Sequence, residues 1–160
     1  MTADEPTSEP VRKSVRVQIA VEEAFRLFTE HIDRWWPDEV HSRAAHGQYG
    51  DGVTVRRVVF EPRVGGRVYE ITSDGVEGSW ADVTAFEPPS GFVLAWKPND
   101  RAEPPTEVEV RFEADGDGTI VRLEHRGWDA LGARALQART GYSDGWRIPL
   151  ERFVAAAAAG

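Results

Sequence analysis

From Ser14 to Val21 the chain alternates, with Val15, Val17, Ile19 and Val21 on one side and Arg16, Gln18 and Ala20 on the other. That two-residue period predicts a half-buried strand. The stretch after it, Glu22-Glu23-Ala24-Phe25-Arg26-Leu27-Phe28, changes to helical spacing, with Val21, Ala24, Phe25 and Phe28 on one face and acidic residues at the start, where a helix N-terminus favours them. A second short helix is expected over about Ile32 to Trp36, stopped by Pro37. Residues Asp38 to Gly52 are polar and glycine-interrupted and carry His41 and His46; they read as a loop that covers something.

Six runs of alternating residues follow: Val53–Phe60, Arg67–Thr72, Gly78–Phe86, Phe92–Trp96, Glu107–Glu113 and Ile120–His125. They are separated by turn compositions such as Ser73-Asp74-Gly75 and Asp115-Gly116-Asp117-Gly118. Links this short join antiparallel neighbours. The remainder returns to helical spacing, with Leu131, Ala135, Ala138, Tyr142, Trp146, Leu150 and Phe153 on one stripe. The predicted fold is therefore α+β: a curved antiparallel sheet of six to seven strands wrapped around a long C-terminal helix, with two short helices after the first strand. Residues 1–12 read as a disordered leader and 13–158 as one domain. Pro149 cannot donate to the carbonyl of Gly145, so a kink is expected beside Trp146.

Strand parity then selects side chains. Val121, Leu123 and His125 share a face, so burial of the two aliphatic residues aims the imidazole inward. The same rule puts Tyr69 with Ile71, Leu94 with Trp96, and Val108 with Val110 and Phe112 on the concave face. Trp80 shares parity with Asp82 and Thr84, which leaves its side open. Trp35 and Trp36 are adjacent on a short helix and are not both expected to face inward; one of them closes the mouth of a pocket or marks an interaction patch. Tyr69, Trp96, His125, Tyr142, Trp146 and Trp36 are thus the candidate ligand-binding residues, rigid aromatics with one polar tip of the kind that lines apolar pockets. For His125 the plain expectation is a core residue bonded to a backbone carbonyl; ligand contact and proton transfer are the alternatives.

Composition narrows the chemistry further. Twenty-seven acidic against nineteen basic residues give a net charge near −8, which disfavours a nucleic-acid partner. The chain has no cysteine, which removes disulfides and thiolate chemistry and fits a cytoplasmic setting. No signal peptide and no membrane span is legible. His31, His41, His46 and His125 do not fall at paired ligand spacing, and neither a nucleophile elbow nor a phosphate-cradling glycine loop is present, so no metal, no cofactor and no catalytic residue is assigned.

The strings Trp35-Trp36-Pro37 with His41-Ser42, Phe60-Glu61-Pro62-Arg63-Val64-Gly65-Gly66-Arg67, Glu124-His125-Arg126-Gly127-Trp128, and Tyr142 followed by Gly145-Trp146 together resemble the START-like helix-grip proteins. Within that superfamily they are similar to the bacterial single-domain relatives of the activator of Hsp90 ATPase. The resemblance runs from about Val15 to Val154. It implies a cavity between sheet and helix holding a small apolar or aromatic molecule. It also implies two alternatives, an enzyme of the polyketide-cyclase or hydrolase type using the same cavity, and a stress-response module that binds an Hsp90-type chaperone. A monomer or a homodimer is compatible with all three.

Overall fold

A single antiparallel sheet of seven strands, in the order β1-β7-β6-β5-β4-β3-β2, curls around the C-terminal helical segment in the computed structural model, which describes residues 9–160. The strands are β1 (Val11–Val17), β2 (Val55–Phe60), β3 (Arg67–Thr72), β4 (Glu77–Glu87), β5 (Gly91–Trp96), β6 (Thr106–Asp115) and β7 (Gly118–Arg126). Helix α1 (Val21–Phe28) and a 3-10 turn at Ile32–Arg34 cross from β1 to β2. A 3-10 segment (Trp128–Arg134), α2 (Ala135–Gly145) and α3 (Arg147–Ala159) close the chain. This is the α+β helix-grip architecture that the alternation predicted. Residues 1–8 of the expected leader lie outside the described residues, and Val11 and Arg12 already belong to β1, paired with His125 and Glu124.

Local sequence explains most of these elements. In α1, Ala24, Phe25, Leu27 and Phe28 are buried while Glu22 and Glu23 occupy the first turn, and the Glu23 carboxylate accepts from the N–H of Ala20. The rings of Phe25 and Phe28 meet Phe112 at centroid distances of 5.2 and 5.8 Å, which seats α1 on β6. The β6–β7 hairpin turns in two residues between Asp115 and Gly118, with Gly116 at φ +62°, a conformation glycine adopts without strain.

Three expectations are corrected. First, the sequence predicted one helix from about Ala130, whereas Trp128–Arg134 is 3-10, interrupted at Gly132 with φ +59°, and the α-helix starts at Ala135. It then breaks at Trp146, where Pro149 removes a hydrogen-bond donor, as its position implied. Second, the expected helix over Ile32 to Trp36 is a 3-10 turn of three residues. Third, Trp35 and Trp36 both point inward, at 3% and 8% exposure. The turn delivers them to different layers, Trp35 against Phe28 and Phe153, and Trp36 against Trp80 and Trp146.

Candidate functional site

Strand β3 has the opposite facing to the one expected. Val68, Glu70 and Thr72 are buried on the concave side, while Tyr69 and Ile71 lie on the convex side, where the Arg67 guanidinium sits 4.1 Å over the Tyr69 ring. Tyr69 is therefore removed from the candidate cavity. The residue that takes the inward place is an acid, and it is fully buried because it is fully bonded. Glu70 accepts from the Trp80 indole at 2.6 Å and from the successive backbone N–H groups of Arg43 and Ala44 at 2.7 and 3.0 Å. The carboxylate thus ties the covering loop to the sheet.

Trp80 reaches Glu70 because of a bulge. Val68 pairs with Ala81 and Tyr69 with Ser79, which leaves Trp80 as the extra residue. The bulge resets the alternation, so Trp80 and Ala81 both face inward although Asp82 and Thr84 are exposed. On the same strand Gly78 lies against the Tyr49 hydroxyl, which a Cβ there would displace. Burial first and the Glu70 charge second push that phenol up to about 12.

A cleft of about 840 Å³ opens at this end of the fold, between the His41–Gln48 loop, the Pro98–Arg101 loop after β5, and α2. Its walls carry Trp36, Trp80, Trp96, Trp146 and Tyr142. The indoles form one connected cluster, with centroid distances of 5.1 Å for Trp36–Trp80, 5.6 Å for Trp96–Trp146 and 6.0 Å for Trp36–Trp146. Each indole N–H is bonded within the protein. Trp36 donates to the carbonyl of His41 at 2.6 Å, Trp80 to Glu70, Trp96 to the Tyr142 hydroxyl at 3.1 Å, and Trp146 to Nδ1 of His125 at 3.1 Å.

The bond from Trp146 fixes the state of His125. An indole only donates, so Nδ1 is an acceptor and the proton is on Nε2, which donates to Thr106 Oγ1 at 2.7 Å. Burial pushes this imidazole down to about 3, so it is neutral at physiological pH. Its ring packs against Trp128 and Tyr142, at centroid distances of 4.3 and 4.6 Å, behind the cleft wall rather than on it. Parity placed the residue correctly, but its partners are two side chains and not the backbone carbonyl expected.

The rim is polar and latched. Arg43, with only 8% of its side chain exposed, meets Asp100 at 2.7 Å and donates to the carbonyl of Ser79 and to Gln48. Arg134 makes a two-pronged contact with Glu103 at 3.1 and 3.2 Å. His41 lines the cleft beside Gly145, and burial, then the charge of His46, lowers its pKa. Among the described residues no three His, Asp or Glu side chains converge as a metal ion requires, and no helix is long and apolar enough to cross a membrane.

Of the six candidates, Trp36, Trp96, Tyr142 and Trp146 come together on the cleft, His125 supports it from behind, and Tyr69 lies elsewhere. Glu70 and His41 were missed as site residues. The only sequence signal for Glu70 was an acid in phase with Val68 and Thr72.

Comparison with known proteins agrees with this architecture. The family model described as activator of Hsp90 ATPase homolog 1-like protein matches residues 18–158. Among solved structures, the self-sacrificing resistance protein CalC from Micromonospora echinospora is 28% identical, with 94% of this chain and 95% of CalC covered at a TM-score of 0.70. The anthrahydroquino-γ-pyrone synthase Txn09 is 32% identical, with 83% and 86% covered at 0.54. CalU16 of Micromonospora echinospora, at 22% identity with 90% and 71% covered and a TM-score of 0.59, shares the fold. A search among curated proteins found no match. The chain belongs to the activator of Hsp90 ATPase homolog 1-like family, within the START-like helix-grip proteins.

Proposed function

We propose that this protein binds a small planar aromatic molecule in the cleft between the His41–Gln48 loop and α2. The observation that carries this reading is the aromatic base of the cleft: Trp36, Trp80, Trp96 and Trp146 line its volume, none more than 8% exposed, and every N–H is engaged within the protein, so the contact they offer a ligand is apolar. The resistance protein and the synthase named above, which share the fold at 28% and 32% identity, support a small-molecule role. Catalysis of the synthase kind in the same cleft is the second reading, favoured by the 32% identity to Txn09. A protein-docking role finds less support, because the exposed large apolar side chains, Val40, Val64, Val76 and Leu136, are scattered over separate elements.

Gly141 supplies the test. It lines the cleft from α2, and a Cβ there meets nothing within 4 Å. Gly141→Phe should fill the cleft while leaving the fold intact, and removal of a helical glycine should favour stability by about a few tenths of a kcal/mol. Quenching of tryptophan fluorescence by anthracene should saturate in the wild type and be lost in Gly141→Phe at unchanged or higher Tm. Equal quenching in both proteins would overturn the reading.

A further inference from the structure

Residues 97–105, between β5 and β6, border the cleft through Pro98, Asn99, Asp100 and Arg101. The ends of this loop are fixed. Trp96 and Thr106 face each other as the last rung of the β5–β6 ladder, and the Thr106 hydroxyl donates to the carbonyl of Trp96 at 3.4 Å. Between these ends none of the residues is buried, and among the described residues no backbone-to-backbone hydrogen bond joins 98–105 to another element. The loop is bonded within itself instead. The Lys97 ammonium donates to the carbonyl of Asn99, the Asn99 side-chain oxygen accepts from the N–H of Arg101, and the carbonyl of Arg101 accepts from the N–H of Glu103, each at 2.9 Å. Pro98, Pro104 and Pro105 stiffen the backbone next to both ends. A segment that is tied internally and not to its surroundings opens as one piece.

Side chains alone hold it to the body, and they do so on two sides. Toward the covering loop, Gln48 donates to the carbonyl of Pro98 at 3.0 Å and Arg43 meets Asp100 at 2.7 Å; toward the 3-10 segment before α2, Arg134 meets Glu103 at 3.1 Å. The Arg43 end is set in advance, since its N–H is held by the buried Glu70 and its guanidinium by Gln48 and the carbonyl of Ser79. Asp100 is the loose end, with 90% of its side chain exposed. An ion pair with one partner in water is weak and screened by salt, so these two close the loop without making closure permanent. We propose that residues 97–105 form a lid on the cleft, closed by the Arg43–Asp100 and Arg134–Glu103 pairs and opening as a unit about Trp96 and Thr106. Only the exchange measurement below rests on the aromatic cleft proposed above.

The absence of cysteine makes the test clean, because Ala102→Cys on the exposed loop and Leu136→Cys at an exposed position of α2 accept two spin labels and nothing else does. Adding Asp100→Ala and Glu103→Ala should raise the longer-distance population between the labels about five-fold, the reach of two exposed ion pairs. Raising salt from about 0.05 to about 0.5 M should move the doubly labelled protein with both pairs intact in the same direction, a readout that survives if the charge variant fails to fold. Glu113→Ala, which breaks the exposed Arg122–Glu113 pair between β6 and β7, should leave the distances as they were. With anthracene, association and dissociation should both quicken about five-fold in Asp100→Ala/Glu103→Ala at unchanged Kd, because freeing a lid lowers one barrier in both directions. A single distance indifferent to charge removal and to salt would overturn the lid, as would an equal response to Glu113→Ala. Faster dissociation alone would also overturn it, by making the loop a wall that the ligand touches. If anthracene does not bind, the cleft reading falls, and the distances still decide the lid.

Discussion

The two ends of the interior hold their aromatic rings in different ways. Beneath α1 and α3, Phe25, Phe28, Phe60, Phe92, Phe112 and Phe153 meet one another at centroid distances such as 5.0 Å for Phe60–Phe92 and 5.1 Å for Phe28–Phe153. The space left where this cluster meets the tryptophans is about 10 Å³, on the order of one water-sized probe. Phenylalanine has no polar atom, and close packing alone fixes its rotamer. At the other end the rings are also packed, no cleft tryptophan being more than 8% exposed, and each of the four is held in addition by its N–H. The phenylalanines are set by packing alone, the cleft tryptophans by packing and a hydrogen bond together.

That contrast can be broken most directly at Phe153, which is fully buried against Phe28 and Trp35. Phe153→Ala should cost about 3–5 kcal/mol in denaturant unfolding through cavity formation. Anthracene affinity of the folded fraction should hardly change. A loss below about 1 kcal/mol would show that the phenylalanine end is not held by packing.

Next in size is Glu70→Gln, which replaces one acceptor oxygen with an amide NH2, a donor facing the N–H groups of Arg43, Ala44 or Trp80. About 2–3 kcal/mol should be lost, with faster amide exchange at Arg43 and Ala44 than in the β6–β7 hairpin. Unchanged exchange at those two amides would remove Glu70 as the anchor of the loop.

The third effect is read against pH, and over a single pH unit it is the smallest of the three. The folded pKa of His125 lies near 3, below its ordinary 6.5, so the unfolded chain takes up the proton first. Its stabilisation is therefore fully present above about pH 6.5 and is lost as pH falls from there toward 3. Relative to His125→Gln, the wild type should lose about 1.4 kcal/mol for each pH unit below about 6. Parallel stability curves for the two proteins between pH 6.5 and 5 would refute a neutral buried imidazole.

Legibility followed the regularity of the strands. Strand β7 alternates without interruption, and its parity placed His125 correctly, as β5 did for Trp96. Strand β3 defeated the same rule because an acid and a threonine fill its buried phase, and an acid buries only when donors from elsewhere converge on it; those donors lie 26 and 27 residues away in sequence, on the loop. Strand β4 was ambiguous for a different reason, since one inserted residue reverses parity without any mark in composition. The kink at Trp146 was legible because Pro149 acts locally. The position of the cleft at the mouth, rather than deep between sheet and helix, depends on how completely the phenylalanines fill the centre, a sum over volumes that no alternation pattern encodes.

The indole cluster has a photophysical consequence. Trp36, Trp80, Trp96 and Trp146 stand 5.1 to 6.4 Å apart, ring centre to ring centre, at fixed mutual angles. Chromophores that close and that rigid couple their transition dipoles, so excitation migrates among them and their near-ultraviolet circular dichroism carries the sign of their common arrangement. A perturbation at the edge of any one ring therefore changes the emission and the coupled dichroism of the whole set. The cluster is a built-in optical probe of the cleft it lines.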